Sequence, residues 1–192
     1  MEIAVLGGGN GSYAAAAHLS EQGHSVRMWR RNHSRFSKIL SSREIALEDW
    51  EGERKVKIDI ATDDLSSAIK GAKLVLIPLP ATCHNQLSIE VAPYLEDGQV
   101  VFFSPGTFGS YIFAESLRRS DNRAEVTFAE TGTLPYLARK QSEEKVRISV
   151  YATRLPTGVY PSNRTAMAMD CLLYTSDAAD EGLGVDLGGR RI

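Results

Sequence analysis

A glycine-rich turn close to the N-terminus constrains the fold more than any other feature. The apolar run at residues 3–6 predicts a buried strand, and residues 13–22 predict a helix that ends at Gly23. Residues 25–30 alternate apolar and polar side chains, which predicts a second strand. A strand, a glycine turn, a helix and a strand within roughly 30 residues form a βαβ unit, whose two strands are parallel.

The same alternation continues along the chain. The patterns predict strands at residues 56–60, 74–77, 100–103, 126–129 and 146–151, and helices at residues 65–70, 82–95 and 110–118. Residues 32–54 are polar and their pattern is ambiguous, and no repeat or linker divides the chain. These features predict one doubly wound α/β domain with a mostly parallel sheet, a Rossmann-type dinucleotide-binding domain.

The glycine turn has the spacing of a dinucleotide fingerprint. Gly7, Gly9 and Ser12 follow the first strand and open the first helix, where free backbone N–H groups and the helix dipole hold a pyrophosphate. We expect Gly7, Gly9, Asn10, Gly11 and Ser12 to bind the cofactor. Ser12 stands where Gly or Ala is usual. The alternative is a glycine turn that only packs closely against the sheet.

The residues after the second strand indicate which dinucleotide is bound. An NAD site places a carboxylate there for the ribose 2′-hydroxyl, and this chain has Arg30 and Arg31 instead. A guanidinium binds a 2′-phosphate through two hydrogen bonds, so NADP is the expected cofactor, with NAD possible. The alternative is a solvated basic turn with use of both cofactors.

Two further turns follow strands of the predicted sheet. Pro78, Leu79 and Pro80 follow the strand at residues 74–77, and Pro105 and Gly106 follow the strand at residues 100–103. Because ligands bind at the carboxyl ends of parallel strands, we expect both turns to line the dinucleotide cleft.

Several motifs together resemble the opine dehydrogenase family, which includes octopine and nopaline dehydrogenases. Residues 7–11 resemble its Gly-x-Gly-Asn-Gly turn, residues 130–136 resemble its Glu-Thr-x-x-x-Pro-Tyr segment, and residues 154–156 and 161–165 resemble the close of its first domain. The resemblance implies reductive condensation of an amino acid with a 2-oxo acid, using a nicotinamide cofactor. It also implies a helical second domain that carries the catalytic histidine, which these residues do not include. Ser12 departs from the family's commoner glycine.

The catalytic residues are therefore unknown from this sequence. His84 and Glu130 are weak candidates, because each follows a predicted strand near the expected nicotinamide position. Their alternatives are a solvent-facing or capping histidine and a carboxylate that caps a loop. We expect His18, His24 and His33 to be surface residues.

Two other functions remain open. One is a dehydrogenase of the glycerol-3-phosphate dehydrogenase or ketopantoate reductase kind, which shares the glycine-rich start and a helical second domain. The segment at residues 130–136 argues against it. The other is a stand-alone nucleotide-binding module without catalysis, which would require the natural chain to end near Asp170.

The C-terminal segment resembles a translated sequencing-library adapter of the transposase type. Residues 171–180 can be encoded by the transposon end and its adapter arm, and residues 185–192 by the flow-cell primer. We therefore expect an NAD(P)-binding domain at residues 1–170, truncated before its helical substrate domain, and a non-native tail without packed structure at residues 171–192. The alternative is a genuine glycine-rich acidic tail.

Composition limits the partners and the location. The formal net charge of −2 provides no basic field for nucleic acid. The longest apolar run, residues 74–81, is far shorter than the roughly 20 residues that span a bilayer, and no signal peptide is visible. Two cysteines form no disulfide framework or metal-ligand cluster. We expect a cytoplasmic protein without metal, whose partners are small-molecule substrates, an amino acid and a 2-oxo acid.

Overall fold

Strands and helices alternate through the structure, a computed structural model that describes residues 1–152 and 154–175. The strands are β1 (Glu2–Leu6), β2 (Ser25–Trp29), β3 (Glu44–Asp49), β4 (Gly52–Lys57), β5 (Ile60–Thr62), β6 (Leu74–Ile77), β7 (Val100–Phe103), β8 (Thr127–Thr131), β9 (Tyr136–Lys140), β10 (Lys145–Tyr151) and β11 (Thr157–Tyr160). The helices are α1 (Asn10–Glu21), α2 (Ser37–Ser42), α3 (Leu65–Ile69), α4 (His84–Val91), α5 (Gly109–Arg119) and α6 (Thr165–Tyr174).

Seven of these strands form the main sheet, in the order β11-β8-β7-β6-β1-β2-β5. All neighbours are parallel except β11, which runs antiparallel to β8. The chain order runs outward in both directions from β1 and β6, so the topological switch point lies between these two strands. The predicted Rossmann-type fold is confirmed, and its ligand crevice is expected outside the carboxyl ends of β1 and β6.

Both faces of the main sheet are covered. Along β1, Ile3 and Val5 belong to the core on the face of α1, whereas Ala4 and Leu6 belong to the core on the face of α3, α4 and α5. This division follows from the two-residue period of a strand. Because each face is buried, the central strands are continuously apolar, as β6 shows with four buried residues.

A second, four-stranded sheet covers α1, and sequence analysis did not predict it. Its order is β4-β3-β10-β9, and it joins the ambiguous polar segment to a hairpin about 90 residues later in the chain. The outer faces of β3 and β4 carry charged side chains, which hid the strand pattern. The predicted strand at residues 56–60 is in fact divided between β4 and β5. Helix α1 therefore lies between two sheets, and Gly11–Leu19 are all buried.

Helix starts were predicted with mixed success. The sequence offers Asp63 or Asp64 as the cap of the helix at residues 65–70, and the structure selects Asp64, whose carboxylate accepts hydrogen bonds from the backbone N–H groups of Ser66 and Ser67. The sequence also offers Thr82 as the cap of the following helix, and this prediction is wrong. A single 3-10 turn at Ala81–Cys83 precedes α4, which begins at His84.

Helix α6 crosses the predicted boundary at Asp170. Its last four residues are Cys171–Tyr174, and Leu172 is 4% exposed within the core beside α1. Leu172 continues the buried side of α6 that Ala168 and Met169 begin, whereas Tyr174 is 60% exposed. That the tail has no packed structure of its own in solution stays a prediction. The rest of the expected tail, residues 176–192, lies outside the described residues.

Neither a membrane-spanning helix nor a metal-binding cluster occurs in the part of the chain that the structure describes. No helix there has the length and apolarity needed to cross a membrane. No three His, Cys, Asp or Glu side chains there lie close enough to hold a metal ion.

Candidate functional site

The glycine turn follows β1 at the switch point, and each glycine has its own reason to lack a side chain. Gly7 has a φ of +127°, and a Cβ there would lie 2.6 Å from both the Leu79 side chain and the Ser12 hydroxyl. A Cβ on Gly11 would lie 2.9 Å from Leu134 and 3.1 Å from Pro78. Gly7 and Gly11 are therefore required by packing.

Gly9 differs, because a Cβ there would meet no atom within 4 Å. It is the N-cap of α1 in extended conformation, and its carbonyl accepts the first helical hydrogen bond, from Tyr13 N at 3.2 Å. The N–H groups before Tyr13 have no partner within the helix and face this open side. An anion such as a pyrophosphate fits there, because the helix dipole and these donors both favour negative charge.

Ser12 fills the third fingerprint position at a cost. It is completely buried, and its hydroxyl has no hydrogen-bond partner among the described residues. A buried unpaired hydroxyl destabilises a fold by about 1–3 kcal/mol. Ser12 is the small residue of the fingerprint. It allows α1 to pack closely against β1 next to Gly7.

The two arginines after β2 point to different places. The Arg30 side chain lies directly across Gly8, in the space that a Cβ on Gly8 would occupy, and its Nη1 donates to the Arg35 carbonyl. Arg31 instead donates from Nη2 to Glu90 Oε2 at 2.7 Å, with its guanidinium 6.0 Å from the centroid of the Trp29 ring. The structure brings Arg30 to the glycine turn and holds Arg31 at α4.

Asn10 connects the glycine turn to the second sheet. Its Oδ1 accepts a hydrogen bond from the backbone N–H of Lys140, at 2.9 Å, across 130 positions of sequence. Because this contact joins α1 to the end of β9, Asn10 positions the turn relative to the second sheet.

Of the two proline-containing turns, the one after β6 contacts the glycine turn, and the one after β7 contacts β8. Pro78 contacts Gly11 and the Leu79 side chain contacts Gly7, so the turn after β6 packs directly beneath the glycine turn. The turn after β7 contains a cis Ser104–Pro105 bond, and Gly106 N donates to the Thr131 carbonyl at 2.8 Å. It therefore lies one strand farther from the switch point.

The His84 side chain is buried and supports the fold. Neither the hypothesis of a catalytic histidine nor the solvent-facing alternative predicted this burial. Its Nε2 donates to the Leu79 carbonyl at 3.2 Å, and its ring packs against Phe103 and Phe113 at centroid distances of 5.3 and 6.4 Å. Burial lowers the pKa of His84, which keeps the imidazole neutral. It holds the Leu79 turn in place beneath the cleft.

Glu130 caps a helix. Its Oε2 accepts hydrogen bonds from both the backbone N–H and the hydroxyl of Ser110, each at 3.0 Å, at the start of α5. The carboxylate also fills the space beside Gly106. This geometry matches the capping alternative and joins β8, α5 and the turn after β7 at the edge of the cleft.

Two histidines expected at the surface are buried. His18 and His24 are each 8% exposed, whereas His33 is exposed and pairs with Asp63. The prediction failed for His18 because the second sheet covers α1. Sequence analysis also missed Leu134, which packs on Gly11, and Lys140, whose backbone N–H donates to Asn10. No local pattern marks either residue, since both contacts span more than 120 positions.

The chain is similar to one known family and to several known dehydrogenases. The family described as NAD-dependent glycerol-3-phosphate dehydrogenase N-terminus matches residues 2–110. An opine dehydrogenase from Arthrobacter sp. (strain 1C) is 28% identical over 167 residues, which cover 87% of this chain and 46% of that protein. A glycerol-3-phosphate dehydrogenase (NAD(P)+) from Azotobacter vinelandii is 28% identical over 195 residues, covering 97% and 54%.

A solved structure of octopine dehydrogenase with NADH and L-arginine has a similar fold. Its TM-score is 0.79 at 24% identity, and the match covers 97% of this chain and 48% of that chain. The chain spans about half the length of the curated relatives it matches. The predicted likeness to opine dehydrogenases is confirmed, and the glycerol-3-phosphate dehydrogenases held as an alternative are relatives as well. The chain belongs to the family of NAD-dependent glycerol-3-phosphate dehydrogenase N-terminal domains, and opine and octopine dehydrogenases are among its homologues.

Proposed function

We propose that this chain is the NADP(H)-preferring cofactor-binding part of an opine dehydrogenase-like oxidoreductase. The observation that carries the proposal is the position of Arg30. Its guanidinium lies across the glycine turn and forms no salt bridge with any residue that the structure describes. When bound, the cofactor would supply the hydride that reduces an imine formed from an amino acid and a 2-oxo acid.

The residues present fit a dinucleotide. The open backbone at Gly9, with Gly11 and Asn10 in the first turn of α1, would hold the pyrophosphate. Arg30 would bind the 2′-phosphate, and the turn at Pro78 would form the floor of the cleft. Arg31 and Ser12 contribute indirectly, the first by fixing the turn to α4 and the second by packing.

The residues that would bind the substrates are proposed to lie in a helical domain of the complete protein. We propose that residues 1–170 are the dinucleotide-binding domain and that residues 171–192 derive from an adapter. Leu172 belongs to this segment and is buried in the core. An apolar residue at this position therefore adds to the core even where an adapter encodes it.

A second candidate is a glycerol-3-phosphate dehydrogenase, which the match to that family over residues 2–110 favours. The two reactions differ in substrate, since one requires an amino acid and a 2-oxo acid and the other a phosphorylated triose. Assays of the complete protein with NADPH and each substrate set would decide between them. Oxidation of NADPH with the triose phosphate alone would overturn the opine proposal.

We predict that Arg30→Asp reverses the cofactor preference. The change removes the phosphate partner and adds repulsion, while the new carboxylate accepts a hydrogen bond from a free 2′-hydroxyl. A charge-assisted hydrogen bond contributes roughly 1.5–3 kcal/mol, so the ratio of the NADPH and NADH dissociation constants should move about 10- to 100-fold. Isothermal titration calorimetry with each cofactor measures the ratio.

The matched control is Arg31→Asp, which makes the same charge change one residue later, where the guanidinium is bound to Glu90. It should move the ratio less than about threefold, which is under 1 kcal/mol. If both variants change the ratio equally, Arg30 acts only through the overall positive charge of this region. That result would contradict its assignment as the 2′-phosphate ligand.

We predict that this chain binds NADPH and does not oxidise it when amino acids are supplied with pyruvate or 2-oxoglutarate. Binding needs only the glycine turn, Arg30 and the cleft floor, all of which are present. Hydride transfer also needs a substrate held about 3–3.5 Å from the nicotinamide and a general acid. Absorbance at the NADPH band, followed over time, measures turnover. Measurable turnover would place the catalyst among residues such as Glu130 and contradict the two-domain proposal.

A further inference from the structure

Three basic residues lie near the glycine turn: Arg30 follows β2 of the main sheet, Lys140 ends β9 of the second sheet, and Arg35 lies between β2 and α2. Lys140, the last residue of β9, places its Nζ 3.9 Å from the centroid of the Tyr13 ring. Its backbone is fixed by the hydrogen bond to Asn10 described above. Arg30 lies across Gly8 and is bound to the backbone of Arg35. The three cations are Arg30, Arg35 and Lys140.

The charges of this basic cluster act on one another. Burial first, and then the positive charges of Arg30 and Arg35, lower the pKa of Lys140, whereas the negative charge of Glu143 raises it. The positive charge of Arg30 also opposes the rise in the Tyr13 pKa that burial causes, and the Tyr13 hydroxyl donates to the Glu143 carbonyl at 2.9 Å. Arg30, Lys140 and Tyr13 therefore share one small region at the start of α1.

No described carboxylate forms a salt bridge with the cluster, although the negative charge of Glu143 acts on Lys140 from a greater distance. Within residues 1–152 and 154–175, none of the three cations forms a salt bridge. Other basic residues of the second sheet do form them, since Lys145 pairs with Glu48 and Glu53. Three unpaired like charges this close repel one another, and a bound dianion would relieve the repulsion.

The position of the cluster identifies which anion fits. In this fold the adenosine ribose lies at the end of the second strand, next to the glycine turn, whereas the pyrophosphate lies over the helix N-terminus. Arg30 follows β2 directly, and the Lys140 ammonium lies over the Tyr13 ring, close enough to Arg30 for their charges to interact. An anion between them would sit on the ribose side of the turn.

We propose that Lys140 is a second ligand of the cofactor's 2′-phosphate, supplied by the second sheet. The inference rests on the proposed NADP preference and adds a residue that the βαβ unit does not contain. The aromatic ring of Tyr13 holds the lysine stem, so that the ammonium is preorganised beside Arg30. The ligand class is a nucleotide that carries a 2′-phosphate.

The test compares two probes that differ only in that phosphate, adenosine 2′,5′-bisphosphate and adenosine 5′-monophosphate. Lys140→Met keeps an unbranched apolar side chain as long as the lysine stem and removes the ammonium group with its charge. We expect it to weaken binding of the bisphosphate about tenfold and to change binding of the monophosphate less than twofold. The matched control is Arg139→Met, which removes a charge from the opposite, exposed side of β9 and should change neither affinity.

The outcomes separate this inference from the proposal beneath it. If the unmodified chain binds both probes equally, the NADP preference and the role of Lys140 both fail. If Arg30→Asp lowers bisphosphate affinity and Lys140→Met does not, only the role of Lys140 fails. Equal weakening of both probes by Lys140→Met, or a lowered unfolding temperature with it, would show a structural role and overturn the inference.

Discussion

Gly7→Ala is expected to destabilise the fold by about 4 kcal/mol, whereas Gly9→Ala is expected to cost less than about 1 kcal/mol. At Gly7 the φ of +127° strains any other residue by roughly 1–3 kcal/mol. The added methyl would also overlap Leu79 and Ser12, and overpacking of this kind costs about 1–3 kcal/mol. At Gly9 the backbone is extended and the space is open, so the fold tolerates the methyl group.

Cofactor binding should show a separate effect at Gly9. Its open side is where the pyrophosphate would approach the backbone, so Gly9→Ala should weaken NADPH binding more than about tenfold while the protein stays folded. Urea unfolding measures the stability of both variants, and calorimetry measures the affinity of Gly9→Ala. A Gly7→Ala variant as stable as Gly9→Ala would contradict the assigned conformation of the turn.

Acid is expected to destabilise the fold because of the buried side chain of His18. Gln22 Nε2 donates to His18 Nε2 and His18 Nδ1 donates to Tyr136 Oη, both at 3.2 Å, so the imidazole is neutral between α1 and the second sheet. Burial lowers the pKa of His18 to about 4. Between that value and about 6.5 the unfolded chain binds one more proton than the folded chain, so stability falls as pH falls.

The expected loss is roughly 3 kcal/mol between pH 6.5 and pH 4, since one pKa unit corresponds to about 1.4 kcal/mol. Burial and the N-terminal amino group also lower the pKa of His24, which adds to the loss in the same direction. Hydrogen bonds donated by Arg54 lower the pKa of Asp49 to about 2. The stability that the Asp49 carboxylate contributes is therefore lost only at a more acid pH than this range.

Urea unfolding at pH 7, 5.5 and 4.5 checks this prediction. His18→Gln keeps a hydrogen-bonding side chain without a titrating group, so it should remove most of the pH dependence above pH 4. His33→Gln is the control, because it removes an exposed histidine. The same acid sensitivity in His18→Gln as in the unmodified protein would show that His18 is not the titrating group.

Much of the fold could be predicted from local patterns. The glycine turn, its flanking strands and the cap at Asp64 were all visible, because each depends on residues within one or two turns of chain. The doubly wound, mostly parallel sheet followed from the alternation of strands and helices. The second sheet was not visible, because β3 and β4 expose their charged faces and β3 pairs with β10 across a long stretch of sequence.

The sequence by itself determined that a dinucleotide-type βαβ unit opens this chain, because strand period, glycine spacing and helix ends are local properties. Only the tertiary structure decided which side chains reach the site. It turned Arg30 toward the glycine turn and Arg31 toward Glu90, and it brought Lys140 to Tyr13. It also assigned Glu130 to the start of α5. These contacts depend on how separate elements pack, and no spacing within the sequence encodes them.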